Sequence, residues 1–269
     1  ADAGNYSFAG FTTPSANYTI NPRALGLDLQ GQGSKVYDGT TTITLNGITP
    51  TLSGVIAGDV VSPDFNSASG SFADRNVGTN KPVVFTGITI SGADSGNYSL
   101  TSGSAASTAS IAPAPLTVTA QADSRIYNGT TISALAPVVT GTTYDPVGTA
   151  ATQSFDNRNA GTGKTLTASG LVMNDGNGGN NYAISYVAST AGQITPAPLS
   201  IAANDAQRPV GTPNPPFSAT YSGFVAGETP ANLSGTLDFS TPATNASPAG
   251  NYAITPFGQS SGNYAITYV

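Results

Sequence analysis

The side chains that could carry chemistry in this chain are few and mostly acidic. Its 269 residues include 14 acidic and 8 basic residues but no histidine or cysteine, so neither a Ser-His nor a Cys-His pair can form. A pair of carboxylates could in principle act on a glycosidic bond. Most aspartates, however, stand in turn sequences such as Asp38-Gly39 and Asp175-Gly176, where the carboxylate bonds nearby backbone. We therefore expect no enzyme activity, no catalytic residue and no cofactor.

Metal binding is also weakly supported by the sequence. Zinc lacks its usual histidine and cysteine ligands. Calcium needs several clustered oxygen atoms, and the segment 174–181 offers amides around a single carboxylate, Asp175. That pattern fits neither an EF-hand loop nor a calcium-binding nonapeptide repeat. We predict a flexible loop at this place and no metal site.

One residue pattern recurs along the chain and organises these side chains. The pattern Pro-Xaa-(Ala/Pro)-Leu stands at 22–25, 113–116 and 196–199, and Tyr-(Asp/Asn)-Gly-Thr-Thr stands at 37–41 and 127–131. A period of this length predicts an array of small domains. We predict a tail strand of a preceding repeat at 1–22, then module one at 23–113, module two at 114–196, and module three at 197–269, with its last strand missing.

The composition favours strands and turns over helices. Thr, Ser, Val, Gly and Asn are abundant, whereas the helix formers Glu, Met and Lys are scarce. We predict a mainly β fold of three small β-sandwich-like or β-grasp-like modules, each with at most a short helix. The segment 226–233 is a candidate helix, with 58–64 as its counterpart. Asp38-Gly39 predicts a type I′ hairpin turn, and the short proline-containing joints predict an elongated, semi-rigid rod.

The repeated residues define a structural motif. Its tyrosines alternate with Ile and Leu, which predicts that their rings line the core while their hydroxyl groups reach polar partners at its rim. Its arginines lie close in sequence to Asp74 and Asp156 and are predicted to fix loops through carboxylates or carbonyls. The motif residues are Tyr37, Asp38, Gly39, Tyr127, Asn128, Gly129, Asn97, Tyr98, Asn181, Tyr182, Asn263, Tyr264, Arg75 and Arg158.

Two covalent modifications stay open. Lys81 and Lys164 are equivalent residues, and a Lys–Asn isopeptide bond at either one would appear as a loss of ammonia in the intact mass. Several asparagines stand in Asn-Xaa-Ser/Thr sequences, which makes glycosylation a second hypothesis.

Charge and hydropathy exclude two classes of partner. The net charge is −6, so the chain lacks the basic surface that nucleic-acid binding needs. No apolar run approaches the length of a membrane span. No signal peptide is visible and residue 1 already lies inside a repeat, so we expect a piece of something longer. The surface, rich in Thr, Ser and Asn, suits an exported protein.

The leading segment has the pattern of the strand that module three lacks. Tyr18-Thr19-Ile20-Asn21-Pro22 aligns with 109–113, at the end of module one. An unpaired sheet edge is a template for another strand. We therefore predict that this segment packs as a strand on a module, with module three of a neighbouring copy as one acceptor.

The motifs of modules one and two resemble a known family. Tyr37-Asp38-Gly39-Thr40-Thr41, the segment 72–81 and the segment 92–98 are similar to the YDG repeat domain of large bacterial surface proteins, and module two differs in having Asn128 for the aspartate. Module three resembles the related MBG domain in its segments 203–206, 214–217, 221–224 and 261–269. It departs from that pattern at Val210, where a tyrosine is usual before the glycine.

The resemblance implies a function at the cell surface. Such domains occur in tandem in exported adhesins, including filamentous-haemagglutinin-like proteins of two-partner secretion. We expect a secreted, structural stalk or adhesin segment that supports cell adhesion and biofilm formation at the bacterial outer membrane. Its partners would be adjacent repeats, glycans or other surface components. A carbohydrate-binding module is the alternative, and a carbohydrate-active enzyme is the third hypothesis.

Overall fold

A computed structural model describes residues 18–225 and 227–269 of the chain. Strands and turns make up this part, and its helical content is limited to two 3₁₀ turns, Ser95–Asn97 and Pro230–Asn232. The prediction of a mainly β fold is therefore confirmed. Contacts group the chain into two compact units, Ala1–Pro113 and Ala114–Val269.

In the first unit, the long strand β1 (Arg23–Val36) pairs with three other strands. It runs parallel to β8 and β9 and antiparallel to β3. The main sheet has the order β2-β5-β6-β9-β1-β3, while β4 pairs with β7. The strands of this unit are β1 (Arg23–Val36), β2 (Thr42–Ile43), β3 (Ile48–Ser53), β4 (Ser62–Asp64), β5 (Ser69–Phe72), β6 (Gly78–Thr86), β7 (Thr89–Ser91), β8 (Tyr98–Leu100) and β9 (Ala105–Ala112).

The core of the first unit is built from alternate residues of these strands. Leu25 in β1, Val83 and Phe85 in β6, and Ile111 in β9 are buried. Their strand neighbours point the other way, as period-two alternation requires. Gly70 lies under the Phe85 ring, and a Cβ added there would stand 2.3 Å from a ring carbon. Only glycine therefore fits at this point of the core.

The second unit contains modules two and three. Module two has a sheet of order β12-β10-β17, a sheet of order β11-β18-β15-β14, and the pair β13-β16. Leu116, Val118, Leu166 and Ile194 are its most deeply buried aliphatic side chains. Its strands are β10 (Ala114–Thr119), β11 (Ser124–Ile126), β12 (Val138–Thr140), β13 (Val147–Thr149), β14 (Thr152–Phe155), β15 (Gly161–Ser169), β16 (Val172–Met173), β17 (Tyr182–Val187) and β18 (Ser189–Thr195).

Module three repeats the first sheet of module two and only part of the second. Its sheet β20-β19-β23 has the same pairing directions as β12-β10-β17, while β21 and β22 form a separate antiparallel pair. Leu199, Ile201 and Tyr264 are buried in the first sheet. The strands are β19 (Ala197–Ala203), β20 (Ala219–Ser222), β21 (Asp238–Ser240), β22 (Thr255–Phe257) and β23 (Tyr264–Tyr268).

The predicted hairpin at Asp38-Gly39 is wrong. Strand β1 pairs with β3, β8 and β9, whereas β2 pairs with β5, so the turn joins strands that are not partners. Gly39 has a φ of +77°, but Asp38 does not have the positive φ that a type I′ turn also requires. Asp38 instead accepts the N–H of Thr40 at 2.9 Å, which makes an Asx turn.

Two further predictions are corrected by the structure. In 226–233 the helix is reduced to the 3₁₀ turn Pro230–Asn232, and 58–64 holds a turn and β4. Residues 1–17 of the predicted tail strand lie outside the described residues. Tyr18 and Ile20 are 82% and 83% exposed and belong to no strand, so within this chain residues 18–22 do not pack on a module. Packing on another copy stays a prediction.

Candidate functional site

Each module contains a buried tyrosine whose hydroxyl group donates a hydrogen bond to a carboxylate. Tyr98 bonds Asp59 at 2.5 Å and Tyr182 bonds Asp145 at 2.9 Å. Tyr264 bonds Glu228 at 2.5 Å. These are the tyrosines of the Asn-Tyr motif, so the predicted position, with the ring in the core and the hydroxyl at a polar rim, is observed in all three modules.

The strand pairing explains why these tyrosines reach the same place. Tyr98, Tyr182 and Tyr264 are the first residues of β8, β17 and β23, which run parallel to β1, β10 and β19. The same hydroxyl groups accept backbone N–H bonds from the loop that carries the carboxylate, for example from Val225 at 3.0 Å. Each tyrosine thereby fastens one long loop to the start of a strand.

Glu228 also has a partner in the preceding module. Tyr127 of module two donates to its second oxygen at 2.6 Å, and the Arg158 guanidinium lies 3.5 Å from that oxygen. The rings of Tyr127 and Tyr264 meet edge to face with centroids 5.6 Å apart. The Glu228 side chain is only 8% exposed, so this is a buried carboxylate shared by two modules.

The surroundings of this carboxylate shift the pKa values of the cluster. Burial alone raises the pKa of Glu228, but the hydrogen bonds from Tyr127 and Tyr264 and the charge of Arg158 outweigh burial and lower it. Burial, the hydrogen bond to Glu228 and its charge raise the pKa of Tyr127 from 10.0 to about 12. The cluster therefore holds an ionised glutamate between neutral tyrosines at neutral pH.

Asn263 makes a second connection between modules two and three. Its side-chain oxygen accepts the N–H of Ala160 at 2.9 Å, and its amide donates to Asn159 at 3.2 Å. Its backbone carbonyl accepts the N–H of Ala197, the first residue of β19. Pro196 alone separates β18 from β19. The junction thus combines a one-residue proline link with polar contacts on both sides.

Two further motif asparagines, Asn181 and Asn97, make contacts within their own loops. Asn181 is fully buried and accepts the side-chain amide of Asn177 at 3.0 Å. Asn97 is exposed and closes a 3₁₀ turn by donating its N–H to the Asp94 carbonyl. These contacts shape the loop before each motif tyrosine.

The two Tyr-(Asp/Asn)-Gly motifs are turn structures, as their composition predicts. Tyr37 is fully buried, and Asp38 forms an ion pair of 2.6 Å with Lys35. Asn128 plays the part of Asp38 in module two, where its side-chain oxygen accepts the N–H of Thr130 at 3.1 Å. Gly129 has a φ of +78°, matching Gly39.

The paired basic residues hold loops. Arg75 donates to the Gly39 carbonyl at 3.4 Å and lies over the Tyr37 ring. Lys81 and Lys164 form ion pairs with Asp74 and Asp156, at 2.5 and 2.9 Å. Hydrogen bonds from Lys81 and Lys164 lower the pKa of Asp74 and Asp156.

The loop 174–181 is ordered around a single carboxylate. Asp175 is buried and accepts the backbone N–H groups of Asn177, Gly179 and Asn181 at 2.8 to 2.9 Å. Burial opposes the ionised form, but these bonds outweigh it and lower the pKa of Asp175. The prediction of a flexible loop is therefore wrong. No group of three His, Cys, Asp or Glu side chains placed to hold a metal occurs in the described ranges.

A surface depression of about 560 Å³ lies in module one beside Lys35, Asp38 and Phe85. A larger groove, of about 850 Å³, lies in module three and is lined mainly by 203–208, 214–215 and 247–254. Arg208 braces its wall by donating to Asn214 at 2.7 Å and to the Thr244 carbonyl at 2.6 Å.

The sequence reasoning found the tyrosines and missed the carboxylates. Two signals were available. Asp59 and Glu228 each follow an Ala-Gly pair, and Asp59, Asp145 and Glu228 lie 39, 37 and 36 residues before their tyrosines. Glu228 is also the only glutamate of the chain. A residue type that occurs once in a charge-poor chain indicates a specific set of partners for that side chain.

Comparison with known proteins gives a family for most of the chain. A model of the YDG domain matches residues 21–108 and 112–191, and a model of the MBG domain of the YGX type matches residues 199–269. No curated protein and no solved structure matches the chain. No helix in the described part is long and apolar enough to cross a bilayer.

Proposed function

The chain belongs to the YDG domain family, with an MBG-type domain after its two YDG domains, and from this premise we propose that it is a structural segment of a large exported bacterial surface protein. MBG domains are associated with repeat-type surface proteins. In this proposal the modules form a semi-rigid, elongated spacer that supports adhesion and biofilm formation at the cell surface. It is a mechanical and adhesive role without catalysis.

The observation that supports the proposal most is the junction of modules two and three. A flexible linker would let the modules tumble independently. Here Pro196 is the whole link, and Glu228 is bonded by Tyr127 on one side and Tyr264 on the other. Charge-assisted hydrogen bonds away from water are stronger than exposed ones. A spacer needs such fixed joints.

Small-angle scattering of the whole chain tests this role. We expect an elongated particle whose scattering fits a narrow range of conformations. The Glu228→Gln variant should broaden that range because it loosens the joint, while Asp64→Asn, at a half-buried aspartate distant in sequence from the joint, should leave it unchanged. A compact, near-spherical particle for the unmodified chain would contradict the spacer role.

Carbohydrate binding is the second candidate function. The groove of module three favours it, since Asn204, Asp205, Arg208 and Tyr252 supply polar groups and one aromatic ring. A glycan array with the purified chain tests it directly. Binding that is lost in Tyr252→Ala would support a lectin-like role, and an array without signal would remove it.

A further inference from the structure

The first and last strands of modules one and two run side by side in the same direction. In module one, β1 begins the module and pairs in parallel with β8 and β9, which end it. In module two, β10 and β11 pair in parallel with β17 and β18. We call β1, and β10 with β11, the entry strands of their modules. The exit strands are β8 with β9, and β17 with β18.

The pairing of entry and exit strands extends from one end of a module to the other. In module two it starts with Ala114 opposite Tyr182 and finishes with Ile126 opposite Thr195. In module one, β8 lies beside the start of β1 and β9 lies beside its end. The chain therefore enters each module at one end of this strand pair and leaves it at the opposite end.

This arrangement determines how tension along the chain acts on a module. Tension pulls the entry strand backward and the exit strand forward, so the two strands are forced to slide past each other. The hydrogen bonds of a parallel pair are evenly spaced along it. They then carry the load at the same time and have to break together. If both loaded points lay at the same end of the pair, the bonds would break one after another, each under the whole load.

The exit strands are also held on their other side and by the core. In the sheets, β9 lies between β1 and β6, and β18 lies between β11 and β15. Ile111 and Ile194 of these strands are buried, as are Leu25 and Leu116 of the entry strands. Hydrogen bonds shielded from water are stronger than exposed ones. Sliding of the strands would therefore break protected bonds and drag apolar side chains out of the core.

We propose that modules one and two are load-bearing domains, and that the parallel pair of entry and exit strands in each is the element that resists tension. Two bonds in module two strengthen this pair. Gln193 donates its N–H to the Asp123 carbonyl at 2.9 Å, and Tyr127 donates to the Thr195 carbonyl at 2.8 Å. The proposal deepens the spacer role and rests on it for its biological meaning, because a spacer between a surface and an attached partner transmits force.

Single-molecule force spectroscopy of the whole chain in two pulling directions tests the proposal on module one. The chain has no cysteine, so introduced thiols are unique attachment points. A chain with Ile20→Cys and Pro113→Cys is pulled from opposite ends of the strand pair. A chain with Val36→Cys and Pro113→Cys is pulled from one end only, because Val36 lies opposite Ala112. Ile20, Pro113 and Val36 are exposed, so both chains should fold.

The same comparison applies to module two. Pro113→Cys with Pro196→Cys loads its strands from opposite ends, and Ile126→Cys with Pro196→Cys loads them from one end. In both modules we expect the unfolding force to be at least about twofold higher when the strands are pulled from opposite ends, because forced unfolding follows the barrier along the pulling direction. Only the module between the two thiols is loaded, so each unfolding event is assigned without ambiguity.

A pair of proline variants tests which bonds carry the load in module two. Gln193→Pro removes the N–H that bonds the Asp123 carbonyl across the strand pair. Asn174→Pro, the matched control, removes the N–H that bonds the Pro146 carbonyl in the same module but outside the entry and exit strands. Both side chains are exposed. With thiols at 113 and 196, Gln193→Pro should lower the unfolding force clearly, and Asn174→Pro should leave it nearly unchanged.

Two results would overturn the proposal. The first is an unfolding force that is the same in both pulling directions, a comparison that needs neither proline variant. The second is an equal loss of force in Gln193→Pro and Asn174→Pro. Either result in a chain that scatters as an elongated particle would leave the spacer role standing. Direction-dependent forces in a chain that scatters as a compact particle would support the load-bearing strands and contradict the spacer role.

Discussion

Modules two and three use the same first sheet and differ in what completes the second. In both, a central strand, β10 or β19, pairs with one antiparallel and one parallel neighbour, and an Asn-Tyr tyrosine begins the parallel neighbour. Module two then adds β18 between β11 and β15. Ile194 of that strand and Leu166 beside it are buried, whereas Ile254, the counterpart of Leu166, is only half-buried.

The difference shows how much one strand contributes to a small β module. A strand that fills the middle of a sheet buries side chains on its neighbours as well as its own. Module two therefore has a closed second sheet, while module three has a groove there. Module three also contacts module two through Glu228 and Asn263.

The largest expected effect comes from the paired truncations Leu166→Ala and Ile254→Ala. Leu166 is fully buried, so its truncation should cost about 2–5 kcal/mol of unfolding free energy, mostly as cavity. Ile254 faces the groove, so Ile254→Ala should lower the free energy of unfolding by only about 1 kcal/mol. Chemical denaturation followed by circular dichroism measures both. Equal costs would mean that module three is as closed as module two.

Gly192→Ala sharpens the comparison within β18. A Cβ at Gly192 would lie 2.7 Å from the Lys164 carbonyl oxygen and 3.1 Å from the Phe155 ring, so the variant should lose about 1–3 kcal/mol. Ala109 holds the same position in module one, and Ala109→Gly is the matched control, with a loss of about 1 kcal/mol. Thermal unfolding ranks the two variants. A neutral Gly192→Ala would show that β18 is free to shift.

Glu228→Gln asks how far module three depends on module two. An amide can serve only one of the two tyrosine hydroxyls as an acceptor, so we expect a loss of about 1–3 kcal/mol, felt mainly by module three. Tyr127→Phe should lower the free energy of unfolding by about 1 kcal/mol. A double-mutant cycle from denaturation curves gives the coupling free energy between the two substitutions. If their effects on the free energy of unfolding are additive, the carboxylate does not link the modules.

The pH dependence should be the smallest effect and has a defined sign. The pKa of Glu228 is lowered on folding, so its contribution is complete above the ordinary glutamate value of about 4.3 and disappears as pH falls through the lower folded value. The pKa of Tyr127 is raised to about 12, so its contribution is complete below about 10 and is lost as pH rises through 12.

Ultraviolet titration of tyrosine measures the alkaline part. The pKa values of Tyr98, Tyr182, Tyr221 and Tyr264 are also raised, so the unmodified chain should show several late-ionising tyrosines. The amplitude of this late phase should fall in Tyr127→Phe and stay unchanged in Tyr252→Phe, at an exposed tyrosine. An undiminished late phase in Tyr127→Phe would contradict the raised pKa of Tyr127.

Local chemistry was readable from the sequence where one short segment determined the outcome. Alternation around Tyr98 and Tyr182 predicted buried rings, and the Pro-Xaa-Pro joints predicted short links. The prediction of a hairpin at Asp38-Gly39 was wrong because a turn sequence determines the backbone angles of the turn. It does not determine which strand the following residues pair with. The prediction of a flexible loop at 174–181 was wrong because one buried carboxylate, Asp175, accepts three backbone hydrogen bonds and orders the loop.

The candidate site was only half readable for a different reason. Glu228 lies 36 residues from Tyr264 and 101 from Tyr127 along the chain. Nothing in a local pattern brings such residues together, because their distance depends on the pairing of β19 with β23 and on the geometry of the joint. Repeats reveal which residues are equivalent, and the fold decides which of them meet.

The residue at the Tyr127 position gives the array a direction. Module two has a tyrosine at this position, and its hydroxyl group donates a hydrogen bond to Glu228 of the following domain. Module three has Val210 instead, an exposed side chain that cannot donate a hydrogen bond. A domain placed after module three would find no hydroxyl group for its own carboxylate, so modules two and three cannot exchange places without losing the connection. The bond between Tyr127 and Glu228 therefore favours module two before module three over the reverse order.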